Sequence, residues 1–164
     1  MNSQLQLGKQ WLEEILQLMG LTTTVSTEGF ATIPSDSHSV WLNINTSSLT
    51  PEERELLIGH QGENIDAIQY LANTLLNIGR DSDAQGSYTI EIDGYRVKRH
   101  TELVALVEEK ITQVRETRQE AEISGLSSAE RKQIHSFLED TADLTTESRG
   151  QEPNRRLVIR LNQD

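Results

Sequence analysis

Cysteine is absent from the 164 residues. That excludes disulfides, thiolate metal sites and cysteine nucleophiles together, and it suits a reducing compartment. Aromatic residues make up 4% of the chain, so a core has to be assembled from Leu, Ile, Val and Ala, with Trp11, Trp41, Tyr70 and Phe137 as its largest expected pieces. No apolar run approaches the length of a bilayer span. The segment from Met1 to Leu21 is an amphipathic pattern broken by Gln, Lys and Glu rather than an apolar stretch behind basic residues. A cytoplasmic protein without membrane contact is expected.

Positive charge is the other scarcity. The formal net charge is −11, which opposes nucleic-acid binding, because neutralising phosphates and releasing counterions is its main source of affinity. The distribution is uneven. From Met1 to Gly94 there are 3 Lys+Arg against 13 Asp+Glu, and from Tyr95 to Asp164 there are 12 against 13. The four histidines, His38, His60, His100 and His135, show neither His-x-x-x-His nor His-Glu-x-x-His spacing, so no metal ligand set is expected. No serine lies in a glycine-flanked nucleophile elbow, and the acids at Glu52, Glu53 and Glu55 read as helix-start charge. The expectation is a non-catalytic protein with no cofactor.

Leu5, Leu7, Trp11, Leu12, Ile15, Leu16 and Met19 recur at helical spacing, with Gly20 able to cap. Thr22 to Ile33 and Ser39 to Asn45 read as strands, the first holding a Glu28-Gly29 turn signal and the two separated by Pro34-Ser35-Asp36. Thr50-Pro51-Glu52-Glu53 is a helix start with Thr50 as N-cap. That helix reaches about Ile58. Gly59-His60-Gln61-Gly62 interrupts it, and Ile65, Ile68, Leu71, Ala72, Leu75 and Leu76 resume the helical period. Tyr88, Ile90 and Ile92 alternate with Thr89 and Glu91 as a half-buried strand.

A charged helix from Tyr95 to about Gln119 follows, with Val97, Val104, Val107, Ile111 and Val114 as its apolar stripe. Ser127 or Ser128 caps a further helix, in which Ile134, Phe137 and Leu138 point inward. Thr141 to Thr146 and Arg155 to Leu161 read as strands. The resulting class is α+β.

Glycines at both edges of a short loop let the backbone approach a sugar-phosphate chain, and the helix that begins at Gly62 offers free N–H groups to phosphate. The order helix, strand, strand, helix, Gly-x-x-Gly, helix, strand resembles the type II KH domain, with Leu57 to Leu71 matching its signature segment at nearly every apolar position. The resemblance implies that Gly59, His60, Gln61 and Gly62 clamp a nucleic-acid backbone. The family usually places Lys or Arg between the glycines. His60 and Gln61, followed by Glu63, imply weaker binding from this half.

Arg131 and His135 are four apart and share a helix face, with Lys132 beside them. Downstream stands Ser148-Arg149-Gly150-Gln151-Glu152-Pro153-Asn154-Arg155-Arg156. The pairing resembles the R-three-H domain, a small binder of single-stranded nucleic acid, and implies contacts from Arg131, Lys132, His135, Arg149, Arg155 and Arg156. Arg149 has an alternative, a salt bridge to Glu147 or Glu152. Arg96, Lys98 and Arg99 either extend a basic path or pair with Glu102 and neighbouring acids. Asn154 stands where an aromatic is common, so stacking is not expected there.

A type II KH domain followed by an R-three-H domain is similar to the bacterial Jag family of RNA-binding proteins, over nearly the whole chain and without that family's separate N-terminal Jag domain. The expected division is residues 1–94, a connecting helix at 95–119, and 120–164. The resemblance implies single-stranded RNA as partner, with single-stranded DNA as a second class and a small single-KH protein or a second copy as protein partners. The alternative reading is a protein-interaction scaffold with little direct RNA binding, using the seam Val104, Val107, Ile111 and Val114 or the KH surface.

Overall fold

A computed structural model of the chain describes residues 2–30, 33 and 38–162. It divides into two compact units, Met1–His100 and Thr101–Asp164.

The first unit follows the expected order: α1 (Asn2–Leu18), β1 (Val25–Ser26), β2 (Val40–Ile44), α2 (Pro51–Ile58), a 3-10 turn at His60–Gly62, α3 (Glu63–Leu75) and β3 (Tyr88–Ile92). The sheet runs β1-β2-β3, with β1 antiparallel to β2 and β3 parallel to it. Leu12 and Leu16 of α1, Ile65, Ile68 and Ala72 of α3, and Leu42, Ile44, Tyr88, Ile90 and Ile92 of the sheet form one buried cluster. Helix α2 starts where its sequence says. Thr50 Oγ1 accepts from the Glu53 N–H at 3.2 Å, and Glu53 Oε2 accepts from the Thr50 N–H at 2.8 Å, a reciprocal pair that satisfies two otherwise orphan donors.

In the second unit α4 (Tyr95–Thr117, most of it here), β4 (Ala121–Ile123), α5 (Ser128–Leu138), β5 (Leu144–Arg149) and β6 (Arg156–Leu161) form an antiparallel sheet of order β4-β6-β5 under helices. Its core joins Leu103, Val107 and Val114 of α4 to Ile134 and Leu138 of α5 and to Ala121, Ile123, Leu144, Leu157 and Ile159 of the strands. The helix expected to connect two domains thus gives Val107 and Val114 of its expected stripe to this core, with Ile111 packed against it and Leu103 in the place expected of Val104.

Several expectations need correction. Tyr70 and Phe137 are 70% and 55% exposed. On α5 the inward positions are Arg131, Ile134 and Leu138, so the face is rotated away from Phe137 by an arginine that occupies an apolar slot. On α3 the inward residues Ile65, Ile68 and Ala72 leave Tyr70 on another face. Tyr88, not expected as a core aromatic, is buried along with the expected Trp41. Strand β3 does not alternate: Thr89 and Glu91 are buried as well. Strand β4 carried no sequence signal, being three residues that exist as a strand only through pairing with β6. The strand expected over Thr22 to Ile33 is Val25–Ser26; Ala31, Thr32 and the Pro34-Ser35-Asp36 turn lie outside the described residues.

Gly8 explains itself by contact. It sits inside α1, where alanine is ordinarily better by about 1 kcal/mol. A Cβ there would stand 2.6 Å from Tyr88 Cε1 and 3.1 Å from Leu42 Cδ1, closer than packed carbons tolerate. Gly8→Ala is therefore expected to lower stability by about 1–3 kcal/mol despite its better helix propensity, read as a lower urea midpoint; a raised midpoint would show that Tyr88 yields.

Candidate nucleic-acid interface

Three of the four residues of the Gly-x-x-Gly loop have positive φ. Gly59, Gln61 and Gly62 have φ of 73°, 51° and 85°, conformations that cost a side-chain-bearing residue strain. Both glycines are also pressed. A Cβ on Gly59 would lie 2.7 Å from Asn64 Cγ, and one on Gly62 would collide with the Tyr95 hydroxyl. Asn64 Nδ2 donates to the Leu56 carbonyl at 2.7 Å, tying the end of α2 to the start of α3.

His60 and Gln61 are exposed between these glycines and Gly62 is buried. The surroundings are acidic: Glu63 and Asp66 occupy the first turn of α3. Asp66 is taken by Arg96 at 2.5 Å, so the first of the three cations that open α4 serves the fold of this unit.

In the second unit Arg131 is 4% exposed. Its guanidinium donates to the Leu126 carbonyl at 2.6 Å, to Ser128 Oγ at 3.1 Å and to the Glu152 carboxylate. A buried arginine needs such partners, since an unpaired buried charge is very costly. Arg131 therefore joins α5 to the β5–β6 loop. His135 Nδ1 lies 2.5 Å from Thr146 Oγ1 and Nε2 lies 3.0 Å from Ser148 Oγ. A neutral imidazole has one donor and one acceptor nitrogen, and two hydroxyls can match either tautomer. The shared face of Arg131 and His135 thus turns toward the protein, and the ring lies half-buried over β5.

Side chains alternate along a strand. Thr146 and Ser148 meet α5, which puts Glu147 and Arg149 on the opposite face of the sheet, with Arg156 beside Arg149 in register. Each cation there meets an acid. Arg149 donates to Glu120 through a two-bond fork at 2.6 and 2.8 Å and also bonds Glu147. Arg156 donates to Glu122 at 2.7 Å, and Arg160 lies 3.9 Å from Glu147. The salt bridge allowed for Arg149 is formed to Glu147, while Glu152 belongs to Arg131. Lys132 and Arg155 are exposed, and among the described residues neither makes an ion pair.

The hydrogen bonds of Arg149 hold Glu120 below its usual range, and those of Arg115 do the same for Asp143, where the distances are 2.8 and 2.9 Å. The hydrogen bond of Asp143 in turn raises Arg115. Of the acids that meet these cations, Glu147 and Glu152 are expected from sequence as partners of Arg149, whereas Glu120 and Glu122, and the pairing of Glu152 with Arg131, are not. Their signal is weak, because each lies far along the chain from at least one of the cations it meets.

A family model described as the R-three-H domain matches residues 101–161. The chain carries an R-three-H domain. It is similar to three proteins each named RNA-binding protein KhpB. The one from Clostridium symbiosum is 25% identical over 155 residues, 94% of this chain and 65% of that protein. The one from Bacillus subtilis (strain 168) is 34% identical over 113 residues, 68% of this chain and 53% of that protein. The one from Lactiplantibacillus plantarum is 31% identical over 120 residues, 73% of this chain and 35% of that protein.

The chain thus spans between about a third and two thirds of the length of these relatives. The resemblance to the Jag family stands on this domain and these three relatives. Within the domain lie all six expected contact residues of the second half, from Arg131 to Arg156. Among the described residues no group of three or more His, Asp or Glu could hold a metal ion, and no helix is long and apolar enough to cross a membrane.

Two depressed carboxylates, Glu120 and Asp143, contribute to the acid limb of stability. A carboxyl whose folded pKa is lowered adds stability above its unfolded value, about 4.3 for Glu and 3.9 for Asp, and that stability is lost as pH falls through the folded value. The melting temperature of the second unit is expected to drop as pH falls below about 4.3, and Glu120→Gln with Asp143→Asn should flatten that limb. Thermal melts between pH 6 and 3 check this; an equally steep limb in the double variant would assign it to other acids.

Proposed function

We propose that the chain is a non-catalytic binder of single-stranded nucleic acid, RNA before DNA, working in the cytoplasm as a Jag-like RNA-binding regulator. The second unit supplies most of its affinity. The observation that carries this reading is the arrangement around α5. Arg131, through Glu152, and His135, through Ser148, hold α5 against β5 and the loop that follows it, and Lys132 and Arg155 stand exposed on α5 and that loop, paired with no acid among the described residues. Cations free of partners are the ones that bind phosphate without first breaking an ion pair.

Arg149 and Arg156 contribute on exchanging carboxylate for phosphate. Both ligands accept the same planar fork, and exposed ion pairs are weak enough to yield. The loop Gly59–Gly62 contributes backbone contact with little charge. The names of the relatives support RNA as the ligand class.

A second reading has its own observation. Of the seam Val104, Val107, Ile111 and Val114, Val107 and Val114 are buried in the core of their own unit, Ile111 packs against it and Val104 is half-buried, which leaves little apolar surface for a partner. In the first unit, however, Tyr70, Leu71, Leu75 and Ile78 are 70%, 44%, 45% and 68% exposed, a run of large apolar side chains along and just past α3. Exposed apolar clusters of this kind mark protein contacts, which supports a protein partner, a small single-KH protein or a second copy, in addition to RNA.

Filter binding of a single-stranded RNA across a salt series tests the main reading. In Lys132→Ala/Arg155→Ala the affinity is expected to fall by roughly an order of magnitude for all sequences alike, and the slope of log K against log salt should flatten by about 1.4, or 0.7 per cation. Unchanged affinity and slope in the variant would sink the proposal. Association with protein that ignores salt, without RNA retention, would favour the second reading.

A further inference from the structure

Strand β3 has one neighbour in its sheet, β2. Its pairing side is set by the Val40 N–H donating to the Ser87 carbonyl at 2.7 Å, so the N–H and C=O groups of Gly86, Tyr88 and Ile90 face outward along a free edge. Such an edge accepts another strand, or any flat group carrying a donor beside an acceptor. Here it is filled. Asn77 makes a two-way pair with Gly86, Oδ1 accepting its N–H and Nδ2 donating to its carbonyl, both at 2.8 Å. Asn73 does the same with Tyr88 at 2.9 and 2.8 Å. Gln69 Oε1 accepts the Ile90 N–H at 3.0 Å, and Arg96 Nε donates to the Ile90 carbonyl at 3.1 Å.

The spacing makes this possible. Gln69, Asn73 and Asn77 are four apart, and four residues of α-helix rise about 6.0 Å. They meet Ile90, Tyr88 and Gly86, two apart, and two residues of strand rise about 6.6 Å. Helix and strand run in opposite directions with nearly matching pitch, so one carboxamide serves each outward-facing residue. Arg96 is locked into the same row by Asp66 at 2.5 Å and by Gln69 Oε1 at 3.1 Å.

We propose that Gln69, Asn73, Asn77 and Arg96 act as built-in occupants of a base-reading edge. A carboxamide presents an N–H beside a C=O, the same donor and acceptor pair that a nucleobase offers at its hydrogen-bonding edge. While the four side chains hold β3, no base pairs with it, and the first unit contacts nucleic acid through the backbone at Gly59–Gly62 without discriminating bases. This rests on the reading of the chain as a binder of single-stranded nucleic acid, and it assigns base preference to the second unit.

The full-length chain carrying Asn73→Ala/Asn77→Ala, and the milder Asn77→Ala alone at the end of the row, is compared with wild type for binding to the four single-base RNA homopolymers, with amide NMR on the same samples. In wild type the Gly86, Tyr88 and Ile90 amides are expected to exchange slowly and to keep their positions when RNA is added. In the variants the Gly86 and Tyr88 amides become free, move on RNA addition, and one homopolymer gains roughly three- to tenfold in affinity over the others. Movement of these amides in wild type on adding RNA would overturn the proposal. So would a folded variant that gains no affinity for any homopolymer, whatever the wild type binds, or one that forms concentration-dependent dimers in place of binding RNA.

A wild type that binds no RNA, paired with a variant that gains it, would count against the proposed function of the second unit while supporting the closed edge.

Discussion

The first unit is organised around the need of one edge strand to have its outward backbone groups bonded. A buried or half-buried N–H or C=O left without a partner costs as much as a hydrogen bond lost, and β3 has three outward residues in a row with no neighbouring strand. Gln69 and Asn73 on α3, Asn77 just past its end and Arg96 on α4 meet that need, which fixes α3 at one height and rotation along β3. Because Gly62 is the N-cap of α3, the same contacts fix where the Gly-x-x-Gly loop emerges. The next helix is tied in as well. The Glu91 carboxylate, buried in β3, accepts the N–H groups of Ile92 at 2.7 Å and of Arg96 at 3.1 and 3.2 Å, so it caps α4 from within the sheet. Burial pushes Glu91 up, and these N–H groups act against the shift.

The second unit solves a different problem, that of keeping arginines in a chain with excess acid. Its sheet has a core face and an outer face, and on the outer face the cations and acids alternate across strands so that Arg149, Arg156 and Arg160 each meet a glutamate. Val158 lies on this outer face between Arg156 and Arg160 and is still fully buried, which follows if the aliphatic stems of its neighbours cover it. Arg131 is the exception in kind: it points into the unit and trades solvent for a carbonyl, a hydroxyl and a carboxylate. It braces α5 against the β5–β6 loop, while Lys132 next to it is exposed.

Much of this was legible in one dimension. The order of elements in the first unit, the α2 cap at Thr50, the Gly-x-x-Gly loop and the α+β class follow from local signals, because caps, turns and periodicity act within a few residues; β4 does not. The residue pattern also located the two segments that resemble nucleic-acid-binding modules. What could not be read were the partners. Gln69, Asn73 and Asn77 fall between the apolar positions of the α3 pattern, where nothing in the spacing marks them as partners of β3, and Glu91 reads as a member of an alternating strand. Phe137 looked inward because the apolar stripe of α5 contains a buried arginine that no hydrophobic pattern anticipates.

The sequence alone therefore determined the kinds of elements, their order and the residue types available for phosphate and base contact, since those depend on backbone preference and short-range spacing. Tertiary structure decided which of those residues are free. Arg149 and Glu120 are 29 positions apart, Arg131 and Glu152 are 21, and Asn73 and Tyr88 are 15. Whether a side chain faces solvent or another part of the chain is set by packing over such separations. That is why the cations predicted as one patch divide into a buried brace, a row of ion pairs and two exposed charges.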